Sequence, residues 1–172
     1  FNPAGAQLDD EGNITGFHDN QVDDYKQDHY QLHWSERYDN NWSSQVSLNY
    51  TYGRGFFEEY ENDDSLGFYG LDDVTLGGET ITTSDIIRRR WLDNDFYVAS
   101  ASVNYRDTSW DITSGLYASK YEGDHFGEVT WARFASNSET GDNYYFGTGD
   151  KDEFSAFAKA DFRLNSQWSA YL

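Results

Sequence analysis

The feature that most constrains this chain is which residue parity carries its apolar side chains. From Trp42 the even positions read Trp42, Val46, Leu48, Tyr50 and Tyr52, with Ser44 the one small polar residue. Ser43, Gln45, Ser47, Asn49 and Thr51 stand between them. An apolar residue at every second position marks a strand with one apolar and one polar face. The pattern returns upstream, where Tyr30, Leu32, Trp34 and Tyr38 alternate with His29, Gln31, His33, Ser35 and Arg37. Downstream, Tyr97, Ala99, Ala101, Val103 and Tyr105 oppose Val98, Ser100, Ser102 and Asn104. Trp110, Ile112, Leu116 and Ala118 face away from Asp111, Thr113, Gly115 and Tyr117. Phe154, Ala156, Ala158, Ala160, Phe162 and Leu164 oppose Ser155, Phe157, Lys159, Asp161 and Arg163. With a start at Trp168, this predicts six strands, over about 25–38, 42–60, 95–105, 110–121, 154–164 and 168–172, and no long helix.

The connections alternate in length. Tyr38 reaches Trp42, Tyr105 reaches Trp110 and Leu164 reaches Trp168 through tight polar turns, so an apolar residue, a turn and a Trp recur. Between these hairpins lie long segments, about 1–24, 61–94 and 122–153, which the same reading assigns to loops. Short turns at one end and long loops at the other are the plan of an outer-membrane barrel. Ten residues at about 3.3 Å each and ~40° tilt climb roughly 25 Å, the height of such a barrel's apolar band. Charges enter the apolar face at Arg54, Asp95 and Lys120, about where that band should stop, and Glu36 is the weakest spot.

Composition sharpens the choice. Twelve Lys and Arg against 31 Asp and Glu leave a net charge of −19, which makes nucleic acid an improbable partner. The absence of Cys excludes disulfides and thiolate-bound zinc. With 14 Tyr, 12 Phe and 6 Trp, the chain is far too aromatic for disorder. No apolar run is long enough for a transmembrane helix, which leaves barrel strands untouched by the argument. The carboxylates gather at 1–24, 61–94 and 122–152, which hold 21 of the 31 and leave the expected band uncharged. The first residue is Phe1 rather than Met, and Leu172 falls inside an alternating run, so the chain reads as a piece of a longer protein. A soluble, acidic, aromatic-rich β-sandwich that binds carbohydrate is the competing fold, and an adhesive surface protein a third. A sandwich needs a dense interior of Val, Ile and Leu, which strands of the Tyr-Ala-Ala-Val-Tyr type do not supply.

The runs QDHYQLHW (27–34), YTYGRGFFEEY (50–60), IRRRWLDNDFY (87–97) and YEGDHFGEVTWARFAS (121–136) resemble the barrel of TonB-dependent outer-membrane receptors of the ferric-siderophore type. The likeness covers essentially the whole chain and is one of overall pattern. It implies an all-β fold, about six strands of an antiparallel transmembrane barrel of 22, with an N-terminal plug domain absent from this chain. It also implies a bacterial outer-membrane location and uptake of a ferric siderophore or similar scarce nutrient. The expected partners are outer-membrane lipid and lipopolysaccharide, the small ligand, the TonB complex acting through regions absent here, and a surface lipoprotein.

Arg88, Arg89 and Arg90 form the only basic cluster, suited to an anionic ferric complex, a substrate carboxylate or a lipopolysaccharide phosphate. The competing role is a loop anchor neutralised by Asp85, Asp93 and Asp95. His125 could join Asp124 and Glu128 on a metal, although a loop histidine held by hydrogen bonds is the simpler expectation. Tyr144 and Tyr145, between Gly141 and Gly147, suit a flat ligand or the packing of one loop on another. His29 and His33 stand some 13 Å apart along one strand, too far to share an ion. The acidic stretches 9–13 and 149–153 do not match a calcium loop and are expected to be turns. With no Gly-x-Ser-x-Gly elbow and no Cys, no catalysis and no cofactor are expected.

Overall fold

The computed structural model describes residues 6–17, 19, 21–135, 137 and 139–172. Phe1, the head of the expected N-terminal loop, and Ser136, the end of the last quoted run, lie outside these residues. The fold is all-β. Its elements are β1 (Ala6–Leu8), β2 (Ile14–Phe17), β3 (Asp23–Arg37), β4 (Trp42–Ser65), β5 (Val74–Leu76), β6 (Glu79–Ile81), β7 (Thr83–Arg106), β8 (Trp110–Ala132), β9 (Asn143–Arg163) and β10 (Ser169–Tyr171). A 3-10 turn, Leu66–Tyr69, follows β4. Six strands form one sheet in the order β10-β9-β8-β7-β4-β3, and β1-β2 and β5-β6 are separate hairpins.

The register is uniform. From Trp42–Tyr105 to Tyr50–Tyr97 to Phe56–Trp91, each step forward along β4 is matched by an equal step back along β7. The contacts Trp110–Phe162 and Phe126–Phe146 keep the same accounting between β8 and β9. Such antiparallel pairing holds one parity on one face throughout.

β7 begins at Thr83 rather than near Asp95, β8 runs on to Ala132, and β9 begins at Asn143 rather than near Phe154. Much of what the sequence assigns to long loops is therefore strand. The added lengths of β7 and β9 carry charge on both faces, and that of β8 sets Glu122, Asp124 and Glu128 on the parity that is apolar nearer the turns, so the alternation by which the other strands are read is lost. The stretch 149–153, expected to turn, belongs to β9, with Asp150 and Asp152 on one face and Lys151 and Glu153 on the other.

The chain divides into two compact units, and β3, β4, β7, β8 and β9 give residues to both. One takes Gln27–Tyr52, Asn94–Glu122 and Asp150–Leu172, the other Phe1–Lys26, Gly53–Asp93 and Gly123–Gly149.

The first of these is a single sheet. Its three turns lie side by side, because Arg106 N donates to Asn41 O at 2.9 Å and Arg163 N to Ser109 O at 2.8 Å. All three use one device. Asp39 Oδ1 accepts the N–H groups of Asn41 and Trp42, Asp107 Oδ1 those of Ser109 and Trp110, and Asn165 Oδ1 those of Gln167 and Trp168, at 2.7 to 3.0 Å. The recurring Trp is thus the third residue after an Asx turn.

On the polar face of this sheet, side chains satisfy one another across strands. His29 meets Thr51 at 2.9 Å, Gln31 donates to Asn49 at 3.2 Å, and His33 meets Ser47 at 2.9 Å. The apolar face is bounded by two aromatic rows. Near the turns Trp42 packs on Tyr105 at 4.8 Å and Trp110 on Phe162 at 4.3 Å. Eight residues further along β4, Tyr30, Tyr50 and Tyr97 stack at 5.8 and 4.9 Å. Between the rows Leu48, Val103 and Leu116 are exposed. Ser44, the polar exception, shares a 2.8 Å hydrogen bond with the Tyr38 hydroxyl. Among the described residues this unit buries no apolar side chain, and no second sheet belongs to it.

The other unit holds the core. Residues 66–82 supply Leu66, Tyr69 and Leu71, which close over Ile86 of β7, with Val74, Val129, Ala132 and Tyr144 packed against them. Gly55 is required by a close approach, since a Cβ there would lie 2.2 Å from Asp24 O and 2.4 Å from Tyr25 Cα of β3.

Candidate functional site: the arginine triplet and its surroundings

β7 places Arg88, Arg89 and Arg90 on consecutive positions, so Arg88 and Arg90 share one face and Arg89 takes the other. The neighbouring β4 brings the acidic run Glu58, Glu59 and Glu61 opposite them. Arg88 is the most enclosed, with 14% of its side chain exposed. Its Nε donates to Glu59 Oε2 at 3.1 Å, its Nη2 pairs with Glu61, and its Nη1 donates to the Tyr69 hydroxyl at 3.3 Å. Arg90 reaches the same Glu59 at 3.2 Å. On the other face Arg89 Nε donates to Glu58 Oε2 at 2.7 Å and lays its guanidinium 4.2 Å above the ring of Phe56.

The expected neutralising partners are therefore corrected. Asp85 pairs with Arg133 at 3.1 Å, Asp93 with Arg54 at 3.0 Å, and Asp95 accepts the Tyr50 hydroxyl at 2.5 Å. The reason is strand geometry. Residues three to five apart along a strand lie about 10–17 Å apart, whereas directly opposed residues on paired strands lie about 5 Å apart. The complementary runs Glu58-Glu59 and Arg88-Arg89 carried this signal, and pairing β4 with β7 would have exposed it.

Tyr69 ties the triplet to the core. Its hydroxyl donates to Asp64 Oδ2 at 2.7 Å, while its ring packs edge-on against Tyr144 at 4.9 Å. Burial and then the Asp64 carboxylate hold the Tyr69 hydroxyl above its ordinary value, with the Arg88 charge pulling the other way. Burial likewise raises Tyr144, again against Arg88. The Tyr144 hydroxyl is buried and has no hydrogen-bond partner among the described residues. Tyr145 stands edge-on to Tyr144 at 5.0 Å and is partly exposed. Both rings cover Gly127, where a Cβ would come within 2.4 Å of each.

The structure thus brings Arg88 and Tyr144 to one core, leaves Arg90 and Tyr145 at its margin, and turns Arg89 to the other face of the strand. His125 does not join them. It lies exposed within β8 rather than in a loop, with parity opposite to Asp124 and Glu128. Glu128 instead accepts the Trp91 indole N–H at 2.9 Å. Among the described residues no three His, Cys, Asp or Glu side chains are grouped to hold a metal ion.

A second feature of this unit has no counterpart in the sequence reading. Phe56, Trp91, Phe126 and Phe146, one from each of four neighbouring strands, form a continuous aromatic row with spacings of 4.8, 5.8 and 6.2 Å. Chemically, three arginines balanced by three glutamates make a neutral, cross-strand clamp. Arg90, with 48% of its side chain exposed, and Tyr145 are the members open to a ligand. No family model, curated protein or solved structure matches the chain.

Proposed function

We propose that this chain is part of the transmembrane barrel of a bacterial outer-membrane receptor, one that imports a ferric siderophore or a similar scarce, bulky nutrient with energy from the TonB complex. The barrel would be larger than six strands, about 22 on the resemblance given above. The observation that carries this reading is the exposed apolar face bracketed by two aromatic rows. Eight residues separate Trp42 from Tyr50, about 27 Å of strand, or roughly 20 Å in height at ~40° tilt. Aromatic belts at the two interfaces of a bilayer have this arrangement. The one carboxylate on that face between the rows, among the described residues, is Glu36, which sits one rung from the turns.

Within this reading Arg90 and Tyr145 are the candidate ligand contacts. Two measurements on the complete natural protein test it. Fractionation should recover it with the outer membrane, released only by detergent. A cell lacking it should lose uptake of its ferric complex. Recovery in the soluble fraction refutes the membrane reading. Outer-membrane recovery with unchanged uptake of every ferric siderophore tried removes the ligand assignment alone.

A further inference from the structure

The polar face of the sheet is hollowed, at the end where the turns lie, into a cavity of about 420 Å³. Its side walls come from β3, which brings Arg37, and from β9, which brings Lys159. Four strand spacings of about 4.8 Å put these two backbones roughly 19 Å apart. Both long side chains nevertheless line the same cavity, one from each side.

The floor between them is polar and its charges are already matched. Arg106 Nε donates to Asp111 Oδ2 at 2.8 Å, and Thr113 Oγ1 donates to Asn104 Oδ1 at 2.9 Å. Asp39 Oδ1 takes the turn N–H groups of Asn41 and Trp42. The two wall cations stand differently. Arg37 gives its Nε to the main-chain oxygen of Asp39 at 3.1 Å. Among the described residues, neither Arg37 nor Lys159 has a carboxylate within 4.0 Å. In a chain of 31 carboxylates and 12 basic side chains, composition alone works against two such cations facing one cavity.

We propose that this cavity binds a small polyhydroxylated dicarboxylate, a sugar diacid lying across the strands. One carboxylate lies on the Arg37 guanidinium, whose planar fork matches it, and the other on the Lys159 ammonium. The hydroxyls between them fall on the Asn104 amide N–H groups and the Ser43 hydroxyl. An alkyl body of the same length would strip water from these groups and return no hydrogen bond. The volume is in the range of small-molecule sites. One face of one sheet forms the cavity, so the inference does not depend on the membrane reading.

The test is calorimetric titration of the complete natural protein with glucarate, gluconate and sorbitol. These share a six-carbon hydroxylated chain and carry two, one and no carboxylates. Affinity should rise about tenfold with each carboxylate, as for a charge-assisted hydrogen bond. Arg37→Gln and Lys159→Gln should each remove one end, weakening glucarate about tenfold, to the level of gluconate on the unaltered protein. Both side chains are exposed and pair with no other side chain, so these variants keep the fold. Lys151→Gln takes the same charge from β9 outside the cavity and should change nothing. No binding, equal affinity for the three compounds, or glucarate affinity unchanged in both cavity variants overturns the inference. So does an equal loss in Lys151→Gln, which would reduce the effect to general charge attraction.

Discussion

Replacing Arg88 by Met removes the charge at the centre of the clamp while keeping most of the side chain's length and apolar stem. Two carboxylates, Glu59 and Glu61, then lose their main partner, and the Tyr69 hydroxyl loses a donor. Removing one partner of a fully buried ion pair costs about 3–5 kcal/mol, because the other charge is left uncompensated. Here Glu59 and Glu61 retain 19% and 33% side-chain exposure, and Glu59 keeps Arg90. Water can take up part of the freed charge, so roughly half the buried value, about 2 kcal/mol, is expected. The loss should fall on the segment that Arg88 holds through Tyr69. Native-state hydrogen exchange reads this directly at Leu66 N, which donates to Thr82 O at 3.0 Å, and Leu71 N, which donates to Leu66 O at 3.0 Å. About 2 kcal/mol corresponds to roughly a 30-fold loss of protection. Adding Glu59→Gln should restore part of it, since an amide is cheaper to leave unpaired than a carboxylate. Protection falling by less than about 3-fold, or falling equally at Trp42 and Trp110, would refute the reasoning.

Gly127→Ala places a methyl group against the rings of Tyr144 and Tyr145, and should destabilise this unit by about 1–3 kcal/mol, with altered tyrosine fluorescence as the local report. Ala101→Arg on the apolar face should cost about 2–4 kcal/mol in a folding assay into liposomes, whereas Ser102→Arg, pointing the other way, should cost little. The turns should respond to acid selectively. The N–H groups of Asn41 and Trp42 hold the Asp39 carboxyl below its ordinary range, and the Tyr105 hydroxyl with the N–H groups of Ser109 and Trp110 does the same for Asp107. Their contribution is complete above the unfolded carboxylate value, near pH 4, and disappears as pH falls through the lower folded values. Protection factors at the Trp42 and Trp110 amides, taken relative to the intrinsic exchange rate at each pH, should fall on acidification, while that of Trp168, capped by the untitratable Asn165, should not. Equal acid sensitivity at all three would contradict that account.

How much of this was legible follows from where side chains face different surroundings. Between the turns and the tyrosine row the two faces differ, so parity alone located Trp42, Tyr50, Tyr97 and Trp110 and the turns between strands. Beyond Tyr52 the strands become polar on both faces, and the alternation that identifies a strand fades although the backbone pairing continues. That is why β7 was missed between Thr83 and Asp95. The partners of Arg88 and Arg89 were hidden for a related reason. They lie on β4, some thirty residues away in sequence, and only the register brings them into contact. The core of Leu66, Tyr69 and Leu71 could not be read from periodicity at all, because a 3-10 turn and an irregular segment supply it.

The Asx turns set how this chain can change without losing its architecture. Each fixes its Trp at the third position after the capping residue, and the hairpin partner then follows rung by rung. One residue inserted between Asp39 and Trp42 would send every side chain of β4 to the wrong face. A slip of two would keep the faces but displace Tyr50 from Tyr97 by about 7 Å along the strand. The connection between β5 and β6, by contrast, sets neither parity nor height for the long strands. Length variation among relatives of this chain should therefore be confined to such distal connections, with Asx-x-x-Trp spacing kept invariant at the turns.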